Sequence, residues 1–365
     1  MEKSRSFQID LDEKLGVYTP GQSVTGRAII DLETDMEIRE IRLTFDGTAH
    51  VSWADDENYT YKGHQKYFDV TICVFGKGLV GGDLHRLPPA QHVFPFTFVL
   101  PLQLPSSFEG EHGYVRYKVE GIIDRPRKSN LRSVRPFTVL TTLDLNLEPA
   151  VANGIEIQNS KDLCCLCCKS GPIVGTLKLN RTGYVPGESI YFEASAQNNT
   201  SRVCSMYADL QMVTNYTAYL QGRKSTMTLP KVINRIKHQD LPPGQSEVWS
   251  GDRFVIPPLA PSYLGGCSLI KIKYLVTLSI NPSGPSFNLQ IPAEVIIGTI
   301  PLQSVVQQFQ QANSTTQPSA PPLMPDPSFT ESIWGPTNIG RDEGGENGQI
   351  YGQLEFTPRY SFYKR

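Results

Sequence analysis

The sequence repeats itself at the spacing of a whole domain, and nothing else in it limits the fold as much. Tyr18-Thr-Pro20-Gly21-Gln-Ser23-Val24 returns as Tyr184-Val-Pro186-Gly187-Glu-Ser189-Ile190, an offset of 184 − 18 = 166 residues. Phe98-Val-Leu-Pro101 returns as Phe254-Val-Ile-Pro257 (257 − 101 = 156), and Tyr117-Lys-Val-Glu as Tyr274-Leu-Val-Thr (274 − 117 = 157). Proline presets φ at the second position of a turn and glycine accepts positive φ at the third, so each Pro-Gly predicts a type II turn. Two copies this far apart predict a duplicated domain, since solenoids repeat every ~20–50 residues.

Between these markers apolar residues alternate with polar ones. Ile41, Leu43, Phe45, Ala49, Val51 and Trp53 make one such row. Phe68-Val70-Ile72-Val74, Phe94-Phe96-Phe98-Leu100 and Ile270-Ile272-Tyr274-Val276-Leu278-Ile280 make others. Period two is the mark of a strand with one buried face. Proline and glycine (28 and 30 residues) punctuate the rows, and no amphipathic pattern runs beyond about three helical turns. The expectation is all-β: two tandem antiparallel, immunoglobulin-like sandwiches. The first would span 1–147, a Cys-rich connector 148–172, and the second 173–300. From 301 to 365 the chain turns rich in Gln, Ser, Pro and Gly. Such a segment buries too little apolar surface to offset its ordering entropy, so it reads as a disordered tail. Its ending, Phe356-Thr-Pro-Arg-Tyr360-Ser-Phe-Tyr363, is aromatic again and is a candidate docking peptide.

The totals exclude several function classes. A net charge of −2, from 34 basic and 36 acidic residues, argues against a dedicated nucleic-acid binder. The charged start MEKSRSFQIDLDEK has no apolar signal region, and no apolar run is long enough for a membrane span. Seven cysteines, four of them between 164 and 168, do not form a secreted disulfide framework, so a cytoplasmic setting is expected. The six histidines fall in no metal-binding or nucleophile motif. The expectation is no enzyme, no catalytic residue, no metal and no cofactor.

Taken in order, these pieces resemble the arrestin superfamily, specifically the α-arrestins or arrestin-domain-containing proteins. The resemblance is carried by Tyr18-Thr-Pro-Gly-Gln-Ser-Val-Thr-Gly26, Phe94-Pro-Phe-Thr-Phe98-Val-Leu-Pro101, Gly113-Tyr-Val-Arg-Tyr117-Lys-Val and Arg125-Pro126. Cys164-Cys-Leu-Cys-Cys168-Lys-Ser-Gly171-Pro172, Gly183-Tyr-Val-Pro-Gly-Glu188 and Phe356-Thr-Pro-Arg-Tyr360 continue it. It implies two arrestin-like sandwiches and a non-enzymatic adaptor in endocytosis and protein transport. Such an adaptor would link cytoplasmic segments of membrane-protein cargo to ubiquitin ligases and sorting machinery, with recruitment to plasma membrane and endosomes. Family tails carry PPxY motifs for HECT-type ligases. Here Pro321-Pro322-Leu323-Met324 lacks the tyrosine, so a ligase would be engaged indirectly. The rival reading is a retromer-like structural coat or scaffold subunit without a ligase link.

Three features are candidate sites. Pro318-Ser319-Ala320-Pro321 matches the peptide bound by the UEV domain of ESCRT-I; a proline-rich tail also makes such matches by chance. Cys164, Cys165, Cys167 and Cys168, beside Leu163 and Leu166 and flanked by Lys161 and Lys169, suit S-acylation. A zinc site would need a second ligand pair, and a plain apolar linker is the third reading. Arg125, Arg127 and Lys128, and separately Arg223, Lys224, Lys231, Arg235 and Lys237, could meet anionic lipid in peripheral association, or be solvated faces.

Overall fold

The fold was obtained as a computed structural model describing residues 4–56, 59–76, 83–162, 164, 165, 168, 169, 171–285, 288–313, 326–340 and 350–364. The N-terminal domain holds β1 (Ser4–Leu11), β2 (Val17–Tyr18), β3 (Ser23–Leu32), β4 (Met36–Ile38), β5 (Glu40–Ala54) and β6 (Thr60–Gly76). It continues with β7 (His85–Leu87), β8 (Gln91–Val99), β9 (Phe108–Gly110), β10 (Gly113–Asp124) and β11 (Leu131–Val139). Sheet β1-β3-β8 packs on sheet β6-β5-β10-β11-β2. Alternation sets the packing: Leu43, Phe45, Ala49 and Val51 are fully buried from β5, and Phe45 stacks on Phe98 of the facing sheet, ring centroids 4.5 Å apart.

The second domain repeats this plan with β12 (Ile155–Lys161), β13 (Cys164–Cys165), β14 (Cys168–Lys169), β15 (Ile173–Leu179), β16 (Gly183–Tyr184) and β17 (Ser189–Asn198). Then come β18 (Cys204–Leu220), β19 (Arg223–Lys237), β20 (Ser246–Trp249), β21 (Arg253–Val255), β22 (Ile270–Pro282) and β23 (Leu289–Ile297). Sheet β12-β15-β17-β20 faces β16-β23-β22-β18 with β19 beside β18. β18 also bridges to β6 at Tyr219 and Lys62, so one sheet runs across both domains.

The duplication is visible bond by bond. Gln22 N–H donates to Thr19 O (3.1 Å) and Glu188 N–H to Val185 O (3.1 Å), closing the two Pro-Gly turns. Gly21 and Gly187 sit at φ +83° and +98°, where a side chain is strained. The buried Tyr117 hydroxyl donates to Pro105 O and that of Tyr274 to Ala260 O, both at 2.7 Å. Ser107 Oγ accepts from Val139 N–H and Ser262 Oγ from Ile297 N–H, both at 2.9 Å.

Three expectations are corrected. The connector 148–172 is partly domain: β12 pairs residue for residue with β15, from Ile155–Leu179 to Lys161–Ile173. The tail 301–365 is not disordered where it is described. Gln303–Asn313 forms α1, and β24 (Ser328–Glu331), β25 (Thr337–Asn338), β26 (Ile350–Gly352), β27 (Glu355–Phe356) and β28 (Arg359–Phe362) lie on the body. The Phe68–Val74 row is only half realised. Phe68 is buried but Val70 is 40% exposed, because this part of β6 pairs with β5 alone among the described residues.

Candidate partner-binding site

The domains meet along a seam built from short hydrogen bonds. Leu143 N–H donates to Thr299 Oγ1 (2.7 Å) and Thr299 N–H to Leu143 O (2.9 Å), tying the end of the first domain to the exit of the second. Asn146 Oδ1 accepts from Gln303 N–H at 2.8 Å. That satisfies a first-turn donor that no residue of α1 itself can reach. On the other side Gln65 of β6 reaches into the second domain. Its Nε2 donates to Gly266 O (3.0 Å), and its Oε1 accepts from Ser268 N–H (2.9 Å) and Ser268 Oγ (2.8 Å). Nearby, Arg116 and Glu109 form a bidentate pair at 2.8 Å, with side chains only 5% and 3% exposed.

The tail crosses this seam as a strap. β26 adds to β11 in parallel, Ile350–Gly352 beside Arg132–Val134, and Arg135 Nη1 donates to Gln353 Oε1 at 2.7 Å. Gly352 sits at φ +92°, and a Cβ there would fall 2.3 Å from Val134 O, so the approach needs glycine. β28 pairs with β24 and carries the anchors. Tyr360 is 2% exposed, and its hydroxyl donates to Ser107 O of the first domain at 3.0 Å. Burial, then the neighbouring Tyr274 and Glu109, push its ionisation well above the ordinary tyrosine range. Tyr363, 4% exposed, grips the second domain: its hydroxyl donates to Thr299 O (2.6 Å) and its N–H to Pro186 O (3.0 Å). Burial, then Glu188, Asp144 and Asp326, push its pKa up to about 12. The second Pro-Gly turn is therefore the tail's seat, and a Cβ on Gly187 would strike Tyr363 O. Trp334 adds a contact under the Lys231 ammonium, 4.5 Å from the ring centre. Between strap and both domains lies a cavity of about 300 Å³ lined by Leu140, Ile300, Phe329 and Tyr363.

The residues singled out from the sequence are dispersed. Pro318, Ser319, Ala320 and Pro321 lie outside the described residues, between α1 and β24. Cys164, Cys165 and Cys168 belong to the β13–β14 hairpin, and Cys167 lies outside the described residues.

The two basic stretches do not form one patch. Arg125, Arg127 and Lys128 sit in the turn after Asp124, which pairs with Glu40 at one end of the sheet. Arg223 and Lys224 sit at the β18–β19 hairpin tip, beyond Tyr219–Lys62 at the other end. β5 alone, 15 residues long, separates those ends by roughly 45 Å. Arg235 is held by Asp209 at 2.6 and 2.8 Å, which raises its pKa further. Lys237 pairs with Asp240 at 3.7 Å.

Sequence reasoning found the aromatic ending as a docking peptide and missed Gln65 and Asn146, whose partners are far away in the chain. Among the described residues no group of three or more His, Cys, Asp or Glu side chains is arranged to hold a metal ion, and no helix is long and apolar enough to cross a membrane.

Comparison with known proteins accounts for this geometry. The model of the arrestin (or S-antigen) N-terminal domain matches residues 7–146, and that of the C-terminal domain residues 169–302. Arrestin domain-containing protein 17 of Caenorhabditis elegans is 25% identical, covering 98% of each chain. Arrestin domain-containing protein 4 of Homo sapiens is 28% identical over 86% of this chain and 79% of its own length. Human arrestin domain-containing protein 1 is 28% identical over 89% of this chain and 71% of its own. Two duplicated sandwiches matched in order by the two halves of one family place this chain in the arrestin family, among the non-enzymatic, adaptor-type arrestin domain-containing proteins.

Proposed function

We propose that the chain is a trafficking adaptor that holds a cytoplasmic segment of a membrane protein on its sandwiches. Residues 314–325, which include Pro318-Ser319-Ala320-Pro321, would offer a peptide to the UEV domain of ESCRT-I. The supporting observation is the strap. Because α1 is capped by Asn146 and β24–β28 is anchored by Tyr360 and Tyr363, that peptide is tethered at both flanks. A short proline-rich ligand held this way binds with less entropy to lose. A ubiquitin ligase would join through other subunits, since the chain has no Pro-Pro-x-Tyr.

The test is affinity purification from cells of the full chain and of Pro318→Ala/Pro321→Ala, which leaves the strap intact. The expected result is loss of ESCRT-I subunits from the variant with cargo retained. Truncation at Pro301 is a poorer comparison, because it also removes both tyrosine anchors. Identical partner sets for the full chain and the proline variant would refute the tail role and favour a coat-type scaffold.

A further inference from the structure

The four-cysteine segment is not used by the adaptor reading, and the strand register shows where it sits. β12 ends opposite the start of β15, at Lys161–Ile173, and β15 starts opposite the end of β17, at Ile173–Asn198. β18 begins opposite the end of β22, at Cys204–Pro282. The chain therefore leaves β12 after Lys161, β17 after Asn198 and β22 after Pro282 at one end of the second domain, and hydrogen bonds tie the described residues there together. Lys161 Nζ donates to Asn288 O (3.3 Å). Asn199 N–H donates to Pro172 O (3.2 Å) and Ser283 N–H to Val203 O (2.9 Å), while Arg202 Nη1 donates to Ser283 O (3.2 Å).

The hairpin β13–β14, with Cys165 opposite Cys168, is a sheet of its own and lies in the chain between β12 and β15, which both end here. The tip's chemistry is distinctive. Residues 163–168 are Leu and Cys only, and Val203 is 43% exposed. The loop of Asp240 also reaches this end, where Leu241 bridges Cys204; Lys161, Lys169, Arg202 and Lys237 outnumber the carboxylates Asp162 and Asp240, of which Asp240 pairs with Lys237. β22 runs 13 residues from the seam at Ile270 to this tip, about 40 Å.

We infer that this end of the second domain is a bilayer-contacting tip whose hairpin thiols, Cys164, Cys165 and Cys168, carry thioester-linked fatty acyl chains. Each thiolate attacks the carbonyl of a fatty acyl-coenzyme A thioester. The carbonyl-to-coenzyme sulfur bond breaks, the acyl group passes to the cysteine sulfur, and coenzyme A leaves as its thiol with the proton. Basic side chains at an anionic leaflet contribute about 1 kcal/mol each. One acyl chain gives only marginal, reversible binding, so two signals are needed for stable anchoring, and adjacent thiols with flanking lysines supply them. The inference goes beyond the adaptor reading and does not depend on the tail peptide.

The test uses the full chain in cells. Free thiols are blocked, thioesters are cleaved with neutral hydroxylamine, and the released thiols are counted by a mass tag. The chain as it stands should show two or more hydroxylamine-dependent tags, and Cys73→Ser should leave them unchanged. With Cys164, Cys165, Cys167 and Cys168 all →Ser, the tags should vanish and the membrane-pelleted fraction should fall about tenfold. No hydroxylamine-dependent tag on the unaltered chain overturns the inference, as does a tag that survives the four serines. One zinc per purified chain, lost with the same substitutions, also overturns it. The Pro318 and Pro321 variant keeps every thiol, so its outcome separates this inference from the adaptor reading.

Discussion

Glu109 and Arg116 show how much one side chain can decide here. Both are almost wholly buried, and a charge left there without its partner is far more unfavourable than the pair. Glu109→Gln should lower unfolding stability by about 3 kcal/mol, read as a shift in denaturant midpoint with unchanged slope. Tyr363 makes a pH prediction. Its pKa is raised to about 12 from the ordinary 10, so the folded state holds the phenolic proton more tightly than the unfolded chain. Its contribution is therefore complete below pH 10 and is lost as pH rises from 10 through 12. Tyr363→Phe should remove one tyrosine from the ultraviolet absorbance titration near pH 12 and flatten the alkaline fall in stability. None of the seam polar residues was legible in the sequence. Gln65 meets its partners 201 and 203 residues away, and nothing in a lone glutamine marks such a contact.

At the scale of elements, what the sequence disclosed follows from burial. β5 and β22 are long and buried on one or both faces, so their apolar rows survive reading along the chain. β12 was hidden because only Ile155 and Ile157 point inward before Asn159 and Ser160, leaving a pattern that reads as connector. The strap was hidden for a different reason. Its strands are two to four residues long, and ahead of the aromatic ending, which the sequence did mark, its buried Ile339 is diluted by the polar and glycine-rich sequence around it. Gly352→Ala should therefore act only here. A Cβ against Val134 O would dislodge β26, speeding amide hydrogen exchange over 350–364 while β10 and β11 keep their protection. Tyr360→Ala should release the strap more fully, with a loss of about 3–5 kcal/mol from its docking.

At the scale of the molecule, domain order and count were legible because duplication leaves a repeat, whereas the joining of the domains was not. Linker, Gln65 and strap all cross the seam, so the two sandwiches should unfold as one unit in the full chain. Ending the chain at Pro301 should split the thermal transition into two, visible by calorimetry.

The strap also fixes how the chain bears load. Whatever partner takes hold of residues 314–325 pulls on β24 at Ser328, which pairs with Phe362. Tyr363, the fixed anchor, is the next residue on that same side of the ladder. Tension and anchorage thus act at one end, and the two strands part like a zip, pair by pair, instead of sliding in shear. A modest pull frees β24 while Tyr360 and Tyr363 stay seated, so on this flank the partner gains reach before the tyrosine anchors are loaded.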